Sequence, residues 1–177
     1  MNPNTVRIDR SGDVPVFAFA DSFNVAVHMI DRHIDEGRAG RTAYITEREI
    51  VSYGQLAERV NRCGNALLDA CIPPGSRMLM IVKDCPEFVY LYYGAIKAGI
   101  VPVPVNTLLR APDYQYMIED SECSALIYSP EFEGEVGPAL AGARRKPPFI
   151  ALTVGKGGLG EMMADASDVL DAYPSDA

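Results

Sequence analysis

The sequence predicts an α/β fold in which a mainly parallel sheet is flanked by helices. Short apolar runs alternate with longer segments whose apolar residues recur every three or four positions, as the strands and helices of such a sheet require. The run Met78–Val82 is apolar throughout, which is typical of a strand buried on both faces. The chain has 177 residues, 48% of them hydrophobic, which is enough apolar material for the core of one domain.

The predicted elements alternate along the chain after residue 20. Residues 1–20 are expected to form an N-terminal extension, 21–172 the α/β unit, and 173–177 a tail or linker. The elements are, in order, helix 23–36, strands 42–46 and 50–52, a helix from residue 53, strand 78–82, helix 86–97, strand 100–105, helix 112–120, strand 125–128, helix 133–143, strand 149–154 and helix 161–172.

Capping residues and a glycine predict where the first two helices begin and where the first one ends. Asp21 or Ser22 can cap the first helix, and Gly37 can end it in a left-handed conformation. Ser52 and Gln55 have the spacing of a capping box, in which each side chain binds the backbone N–H of the other residue. The helix that follows carries an apolar stripe at helical spacing, made of Leu56, Val60, Cys63, Leu67 and Cys71.

Prolines mark a helix end, a helix start and an edge strand. The turn Pro73–Gly75 ends the second helix, and Pro86 suits the first turn of the third, where its missing N–H costs no hydrogen bond. Pro102 and Pro104 lie within the predicted strand 100–105 and cannot donate hydrogen bonds to a neighbouring strand. We therefore expect that strand at the edge or end of the sheet.

Composition and charge exclude several classes of function. A net charge of −8 argues against nucleic-acid binding, which needs a basic surface. No apolar run is long enough to span a bilayer, so no membrane partner is expected, and the start of the chain lacks the pattern of a secretory signal. The four cysteines have no metal-ligand spacing, which favours reduced thiols in or near the core and a cytoplasmic location: Cys63, Cys71, Cys85 and Cys123.

Some patterns that can mark a site have simpler interpretations here. Residues 155–160 match Gly-x-Gly-x-x-Gly, but no strand is predicted after the following helix, so we expect a plain loop. His28 and His33 are five residues apart and do not share a helical face, so we expect structural or solvent-facing roles. Two acidic sets are expected on the solvated surface: Glu131, Glu133 and Glu135, and Asp165, Asp168 and Asp171.

Several segments occur in the same order as in adenylate-forming acid–CoA ligases. They include 23–26 (FNVA), 52–56 (SYGQL), 61–68 (NRCGNALL), 73–78 (PPGSRM), 86–88 (PEF), 94–99 (GAIKAG) and 103–109 (VPVNTLL). The last of these, followed by Asp113 and Tyr114, is similar to benzoate–CoA ligases in particular. The chain thus resembles the N-terminal portion of this family, which implies the N-terminal α/β subdomain of the ligase fold. Cys71 departs from the resemblance, because the family usually has glycine there.

The resemblance implies an ATP-dependent aryl-CoA ligase as the full-length protein. In that family a carboxylate attacks the α-phosphorus of ATP, pyrophosphate leaves, and the thiol of CoA then displaces AMP from the acyl-adenylate. This implies an aromatic carboxylate substrate, with benzoate expected, together with ATP, Mg²⁺ and coenzyme A; charge stabilisation and positioning dominate such phosphoryl transfer.

The family's chemical motifs do not occur in these residues. Missing are the Ser/Thr/Gly-rich phosphate loop that ends in Pro-Lys-Gly, the adenine-binding strand, the ribose-binding aspartate and the C-terminal lysine. We therefore expect no catalytic, ATP-binding or metal-binding residue here, no tight cofactor binding and no activity from this stretch alone. Its expected partner is the remainder of the same chain, and a homodimer is a further option.

Basic residues are the candidates for a CoA contact. The resemblance implies that the loop after residues 104–106 can present an arginine to a CoA phosphate, and Arg110 lies in that loop. A basic triplet in this acidic chain, Arg144, Arg145 and Lys146, is the second candidate, because guanidinium groups bind phosphate bidentately. The simpler interpretation of the triplet is a solvated loop.

Other functions stay open from the sequence. Within the same superfamily, a medium-chain fatty-acid or aminobenzoate ligase is the nearest alternative. A stand-alone, non-catalytic interaction module is the alternative from a different class, and it would also expose an apolar surface. A dinucleotide-binding module, based on residues 155–160, is a third.

Overall fold

A computed structural model describes residues 6–172 of the chain. The eight strands of this range are β1 (Arg7–Asp9), β2 (Val16–Ala18), β3 (Thr42–Ile45), β4 (Ile50–Ser52), β5 (Arg77–Ile81), β6 (Val101–Pro104), β7 (Ala125–Tyr128) and β8 (Phe149–Leu152). A π-helical turn (Val27–Asp31) continues into α1 (Arg32–Asp35). The next helices are α2 (Tyr53–Asp69), α3 (Pro86–Lys97) and α4 (Ala111–Ser121). A 3-10 turn (Pro130–Phe132) leads into α5 (Glu133–Gly142), which is followed by α6 (Leu159–Ala164).

Four parallel strands form the central sheet, in the order β6-β5-β7-β8. The strands are joined through helices, as parallel connections require, and this confirms the predicted α/β class. In the described part of the sheet β6 has a strand neighbour on one side only, so the edge position predicted from Pro102 and Pro104 is confirmed. The hairpins β1–β2 and β3–β4 are separate antiparallel pairs.

Strand β5 divides the core into two layers. Met78 and Met80 pack on the face covered by α2, α3 and α6, whereas Leu79 and Ile81 pack against α4 and α5. All four side chains are fully buried, which confirms the prediction of a strand covered on both faces.

The first helix begins later than predicted, and a different residue caps it. Helical backbone begins at Val25, two residues before the π-helical turn, and Asp21 and Ser22 lie in the turn that precedes it. Instead, Oδ1 of Asn24 accepts the N–H of Ala26 at 3.0 Å, while its Nδ2 donates to the carbonyl oxygen of Ile96 at 3.0 Å. Asn24 is itself a preferred cap residue, but its bond to the distant Ile96 carbonyl could not be predicted from the neighbouring residues.

The last helix is shorter than predicted. α6 ends at Ala164, so the prediction of a helix over 161–172 is wrong, whereas Asp165, Asp168 and Asp171 are exposed, as predicted. Asparagine side chains of α2 bind the backbone that follows: Asn61 donates to the carbonyl oxygen of Asp168 at 2.7 Å, and Asn65 to that of Ser167 at 2.8 Å. These carbonyls are therefore used by α2 and not by a helical ladder.

Helices α2 and α3 touch through their backbones at two glycines. A Cβ on Gly94 would lie 2.9 Å from the carbonyl oxygen of Val60 and 3.0 Å from the amide nitrogen of Gly64. A Cβ on Gly64 would lie 2.9 Å from the carbonyl oxygen of Gly94. Both contacts are shorter than a side chain allows, so this crossing requires glycine on both helices.

A buried lysine closes the end of this helix pair. Nζ of Lys97 lies 2.5 Å from Oδ2 of Asp31 and 2.7 Å from Oδ1 of Asn61, and the Lys97 side chain is only 5% exposed. A buried ammonium is tolerated when it is paired and hydrogen-bonded, which is the case here. The pair joins the first helix to α2 and α3.

The crossing leads to a test of stability. We expect Gly94→Ala to lower the free energy of unfolding by about 1–3 kcal/mol, because backbone atoms must move apart to admit the methyl group. Alanine itself favours a helix by about 1 kcal/mol, so Gly134→Ala in α5, where a Cβ meets nothing within 4 Å, should stabilise the chain. Urea denaturation measures both; equal effects of the two substitutions would contradict the close packing.

Cys71 occupies a position that favours glycine. Its φ is 58°, in the left-handed region. The amide of Cys71 donates to the Leu68 carbonyl oxygen at 2.8 Å and that of Ile72 to the Leu67 carbonyl oxygen at 3.2 Å, the two bonds of a Schellman motif. Cys71 is exposed and lies beyond the end of α2, so its predicted place on the buried stripe is wrong; the other four members of that stripe are buried.

This geometry also leads to a test. Cys71→Gly should raise the free energy of unfolding by about 0.5–1 kcal/mol, because it removes the left-handed penalty while adding some entropy to the unfolded chain. Cys71→Ala is the matched control, since it removes the thiol and keeps Cβ, and it should leave stability nearly unchanged. A gain with alanine as large as with glycine would show that the thiol, and not the backbone, is responsible.

Candidate functional site

A cleft opens at the carboxyl end of the central sheet, where α/β proteins usually bind ligands. It has a volume of about 1130 Å³. The cleft is lined by the segments that follow β5, β7 and β8, by the tip of the β3–β4 hairpin, and by residues of α2, α3 and α6. Its charged and aromatic lining includes Tyr44, Glu49, Arg59, Lys83, Glu87, Tyr90 and Glu131.

Two ion pairs connect the elements that line the cleft. Arg59 on α2 donates two hydrogen bonds of 2.7 Å to the carboxylate of Glu49, and this contact lowers the pKa of Glu49. Lys83 pairs with Glu131, while its backbone N–H donates to Oγ of the buried Ser129 at 3.1 Å. These contacts join the hairpin to α2 and the β5 segment to the β7 segment.

The ionisable side chains of the cleft suit binding better than nucleophilic chemistry. Burial raises the pKa of Cys85 to about 11, so its thiol stays protonated near neutral pH and is a weak nucleophile. Burial also raises the pKa of Tyr90, which keeps the phenol neutral. The cleft thus offers hydrogen bonds and charge to a ligand.

Residues 6–172 contain neither a cluster of metal-ligand side chains nor a helix that could cross a membrane. In that range no three His, Cys, Asp or Glu side chains come together as a metal site, so no residue is assigned to Mg²⁺. No helix of the same range is long and apolar enough to cross a membrane. The four cysteines are free thiols, with Cys63 and Cys123 buried as predicted.

Arg110 lies at the carboxyl end of the sheet, as the residue that precedes α4. Its backbone N–H donates to the carboxylate of Asp113 at 3.1 Å, which caps the helix. Its side chain is 77% exposed and contacts Oε1 of Glu135 at 3.1 Å. The other oxygen of Glu135 accepts the N–H of Ala111 at 2.8 Å, and these bonds lower the pKa of Glu135. Tyr114 anchors the same loop by donating to the Asn106 carbonyl oxygen at 3.1 Å.

The basic triplet lies at the other end of the sheet, in the connection from α5 to β8. Arg144 binds Glu119 through its backbone N–H at 2.9 Å and through two guanidinium nitrogens at 2.8 and 3.2 Å. These hydrogen bonds lower the pKa of Glu119 to about 2. Arg145 is 3.9 Å from Glu122, and Lys146 is exposed.

The structure does not bring the two sets of candidates together. Arg110 precedes the first residue of α4, whereas Arg144 binds Glu119 near the end of the same helix. Arg110 and Glu119 are nine positions apart, which corresponds to about 13 Å along the helix axis. The two sets of candidates therefore lie near opposite ends of α4.

The glycine-rich segment forms the predicted loop. The N–H of Gly157, which in a nucleotide site would face phosphate, donates to the carboxylate of Glu161 at 2.7 Å. The helix that follows has only six residues, which leaves little helix dipole for an anion. The segment therefore has neither the free amide nor the long helix of a dinucleotide site.

Both histidines make structural contacts, as predicted. The ring of His33 stacks on Tyr53 with a centroid distance of 3.7 Å, and its Nδ1 accepts Nε–H of Arg38 at 3.0 Å. Burial is the main cause of the lowered pKa of His33. The ring of His28 lies 5.4 Å from that of Phe23.

Glu131 and Glu133 are exposed and Glu135 is partly exposed, so the predicted surface position is confirmed, but each carboxylate also contacts another element. Glu131 pairs with Lys83, Glu133 accepts the Tyr128 hydroxyl at 2.6 Å, and Glu135 binds the start of α4. The chain turns into α5 at this point, so successive carboxylates meet different elements. Sequence reasoning missed these contacts, since spacing along the chain does not reveal partners that folding brings close.

The family follows from comparison with known proteins. A model of the family described as "AMP-binding enzyme" matches residues 31–165, well over half of the chain. The chain therefore belongs to the AMP-binding family of adenylate-forming enzymes, which confirms the resemblance found in the sequence.

Curated relatives include aryl-CoA ligases. The chain is 36% identical over 173 residues to a benzoate–CoA ligase of Thauera aromatica, covering 94% of this chain and 32% of the relative. It is 41% identical over 119 residues to a 4-hydroxybenzoate–CoA/benzoate–CoA ligase of Rhodopseudomonas palustris, covering 67% of this chain and 22% of that protein. The chain thus spans about a third or less of the length of these relatives.

Solved structures agree with this assignment. A benzoate–CoA ligase from Burkholderia xenovorans LB400 matches 85% of this chain and 30% of that chain, with a TM-score of 0.75 and 33% identity. The anthranilate–CoA ligase AuaEII, in complex with anthranoyl-AMP, matches 89% of this chain and 30% of that chain, with a TM-score of 0.81 and 26% identity. The α/β unit therefore has the fold of the N-terminal part of these ligases, as predicted.

Proposed function

We propose that the full-length protein is an aryl-CoA ligase that converts benzoate, ATP and CoA into benzoyl-CoA, AMP and pyrophosphate. The observation that carries this proposal is the 36% identity to a benzoate–CoA ligase across 94% of the chain. The 41% identity to a 4-hydroxybenzoate–CoA/benzoate–CoA ligase supports the same class of acid.

The proposed reaction has two steps. A carboxylate oxygen of the aromatic acid attacks the α-phosphorus of ATP, and the bond to the bridging oxygen breaks to release pyrophosphate. The CoA thiolate then attacks the carbonyl carbon of the aryl-adenylate, and AMP leaves with the carboxylate oxygen that had bonded to phosphorus. When bound, Mg²⁺ would neutralise the charge of the phosphates.

This stretch of the protein contributes scaffold and one wall of the CoA site in our proposal. The carboxyl end of the sheet holds Arg110 on a loop that Tyr114 and Glu135 fix in place. The residues that bind ATP are expected outside these 177 residues, so the stretch by itself should not form an adenylate. Free thiols at all four cysteines support a cytoplasmic location.

The function has a direct test. We expect the full-length protein to form AMP and pyrophosphate from ATP and CoA only when an aromatic carboxylate is present, with benzoate preferred over medium-chain and long-chain fatty acids. Coupled AMP release across a panel of acids, with 2-aminobenzoate and hydroxybenzoates included, measures this. A preference for an aliphatic acid would contradict the aryl assignment, and the absence of acid-dependent AMP would contradict a ligase.

We favour Arg110 over the basic triplet as the CoA phosphate contact. Its guanidinium is exposed and makes one 3.1 Å contact with Glu135, so a phosphate can approach its free side. The Arg144 guanidinium already donates two hydrogen bonds to one carboxylate oxygen of Glu119. Arg110 also lies at the end of the sheet where ligands bind in this fold class.

We expect Arg110→Ala in the full-length enzyme to raise KM for CoA about tenfold, with kcat and KM for benzoate unchanged, because one charge-assisted bond to phosphate is lost. Arg41→Ala, an exposed arginine far along the sequence from either candidate, is the control. A variant with Arg144, Arg145 and Lys146 all replaced by alanine tests the alternative. If that variant alone raises KM for CoA, the triplet and not Arg110 binds the phosphate.

A further inference from the structure

Among the elements of residues 6–172, the two strands of the β1–β2 hairpin pack mainly on each other. All six residues of these strands are exposed. A two-stranded hairpin on its own is at best marginally stable in water. Contacts outside the described residues would therefore be needed to hold it firmly.

One face of this hairpin is apolar. Ile8 and Phe17 are directly opposite each other across the strands and so share a face. Phe19 is two residues after Phe17, and its ring lies 4.9 Å from that of Phe23 at the start of the first helix. The exposed fractions of Ile8, Phe17 and Phe19 are 46%, 57% and 58%. We define these three residues as the hairpin face.

The other face of the same hairpin is partly charged. The cross-strand pairs Arg7 with Ala18 and Asp9 with Val16 lie there, so two of the four residues are charged. This asymmetry is the pattern of a ribbon that buries one side and leaves the other in water. It also sets the register of the hairpin, since a one-residue slip would exchange the two faces.

The amount of protein outside these residues indicates what covers the hairpin face. The match to the Thauera benzoate–CoA ligase accounts for 32% of that relative, and the two solved ligases are matched over 30% of their chains. If the proposed function is right, about twice as much chain as is described here folds alongside it. An intramolecular partner covers an apolar face at any protein concentration, whereas a second copy must associate to do so.

We propose that the hairpin face is a docking surface for the part of the same polypeptide that follows residue 177 in the full-length ligase. Ile8, Phe17 and Phe19 form the apolar centre of this contact, and burying them removes apolar side chains from water. This inference rests on the proposed function, because it requires a full-length chain of the relatives' size.

Thiol labelling of the full-length protein tests the docking surface. Phe17→Cys places a thiol on the hairpin face, and Val16→Cys, one residue away, places a thiol on the opposite face as a matched control. Maleimide labelling is followed at each site by peptide mass spectrometry, in native buffer and in urea. We expect Cys at position 17 to label at least about tenfold more slowly in native buffer than in urea, and more slowly than Cys at position 16, at every protein concentration.

Two results would overturn the proposal. Equal native rates at positions 16 and 17, both close to the rate in urea, would mean that the hairpin face is exposed. Protection that disappears on dilution would assign the face to a second copy of the chain. If Phe17→Cys fails to fold, hydrogen exchange of residues 7–18 in the unmodified protein replaces it: slow exchange supports docking, and exchange at the rate of an open hairpin contradicts it.

The labelling readout separates this inference from the function. Acid-dependent AMP formation by the same protein reports whether it is a ligase. If the thiol at position 17 is protected but the protein has no ligase activity, the docking surface stands and the proposed function is overturned. If the protein has ligase activity but this thiol is not protected, the proposed function stands and the docking surface is overturned.

Discussion

The described structure depends on the backbone contact between α2 and α3 at Gly64 and Gly94. Because neither helix has a side chain there, the two can approach until a carbonyl oxygen of each is within 3 Å of where the other's Cβ would lie. α2 carries Arg59 and α3 carries Tyr90, and both line the cleft, so the spacing of these helices also sets the shape of the cleft. Lys97, buried against Asp31 and Asn61, attaches the first helix to the same pair.

Charge at the carboxyl end of the sheet is held in pairs that join separate elements. Arg59 binds Glu49, Lys83 binds Glu131 and Arg110 binds Glu135. Partly exposed pairs of this kind contribute little to stability, so their main effect is on the geometry of the loops. Loops placed in this way give a ligand a prepared surface at low cost in conformational entropy.

Local and periodic signals in the sequence predicted most of the sheet and its helices. The capping box at Ser52 and Gln55, the start of α3 at Pro86 and the edge position of β6 depend on residues close together in the chain, and all are confirmed. The bond from Asn24 to the Ile96 carbonyl oxygen and the short α6 involve side-chain contacts with distant carbonyls, which no local pattern encodes. The location of Arg110 on a loop could be predicted, but its pairing with Glu135 could not, because the partner lies 25 residues away on another helix.

An isotope experiment tests the central claim, that the full-length protein activates an aromatic acid as its adenylate. Benzoate labelled with ¹⁸O at both carboxylate oxygens is supplied with ATP and CoA, and the AMP formed is analysed by mass spectrometry. Since AMP leaves with the oxygen that bonded to phosphorus, the account predicts one ¹⁸O in each AMP and one in each benzoyl-CoA. Unlabelled AMP, or benzoyl-CoA formed without AMP, would contradict it.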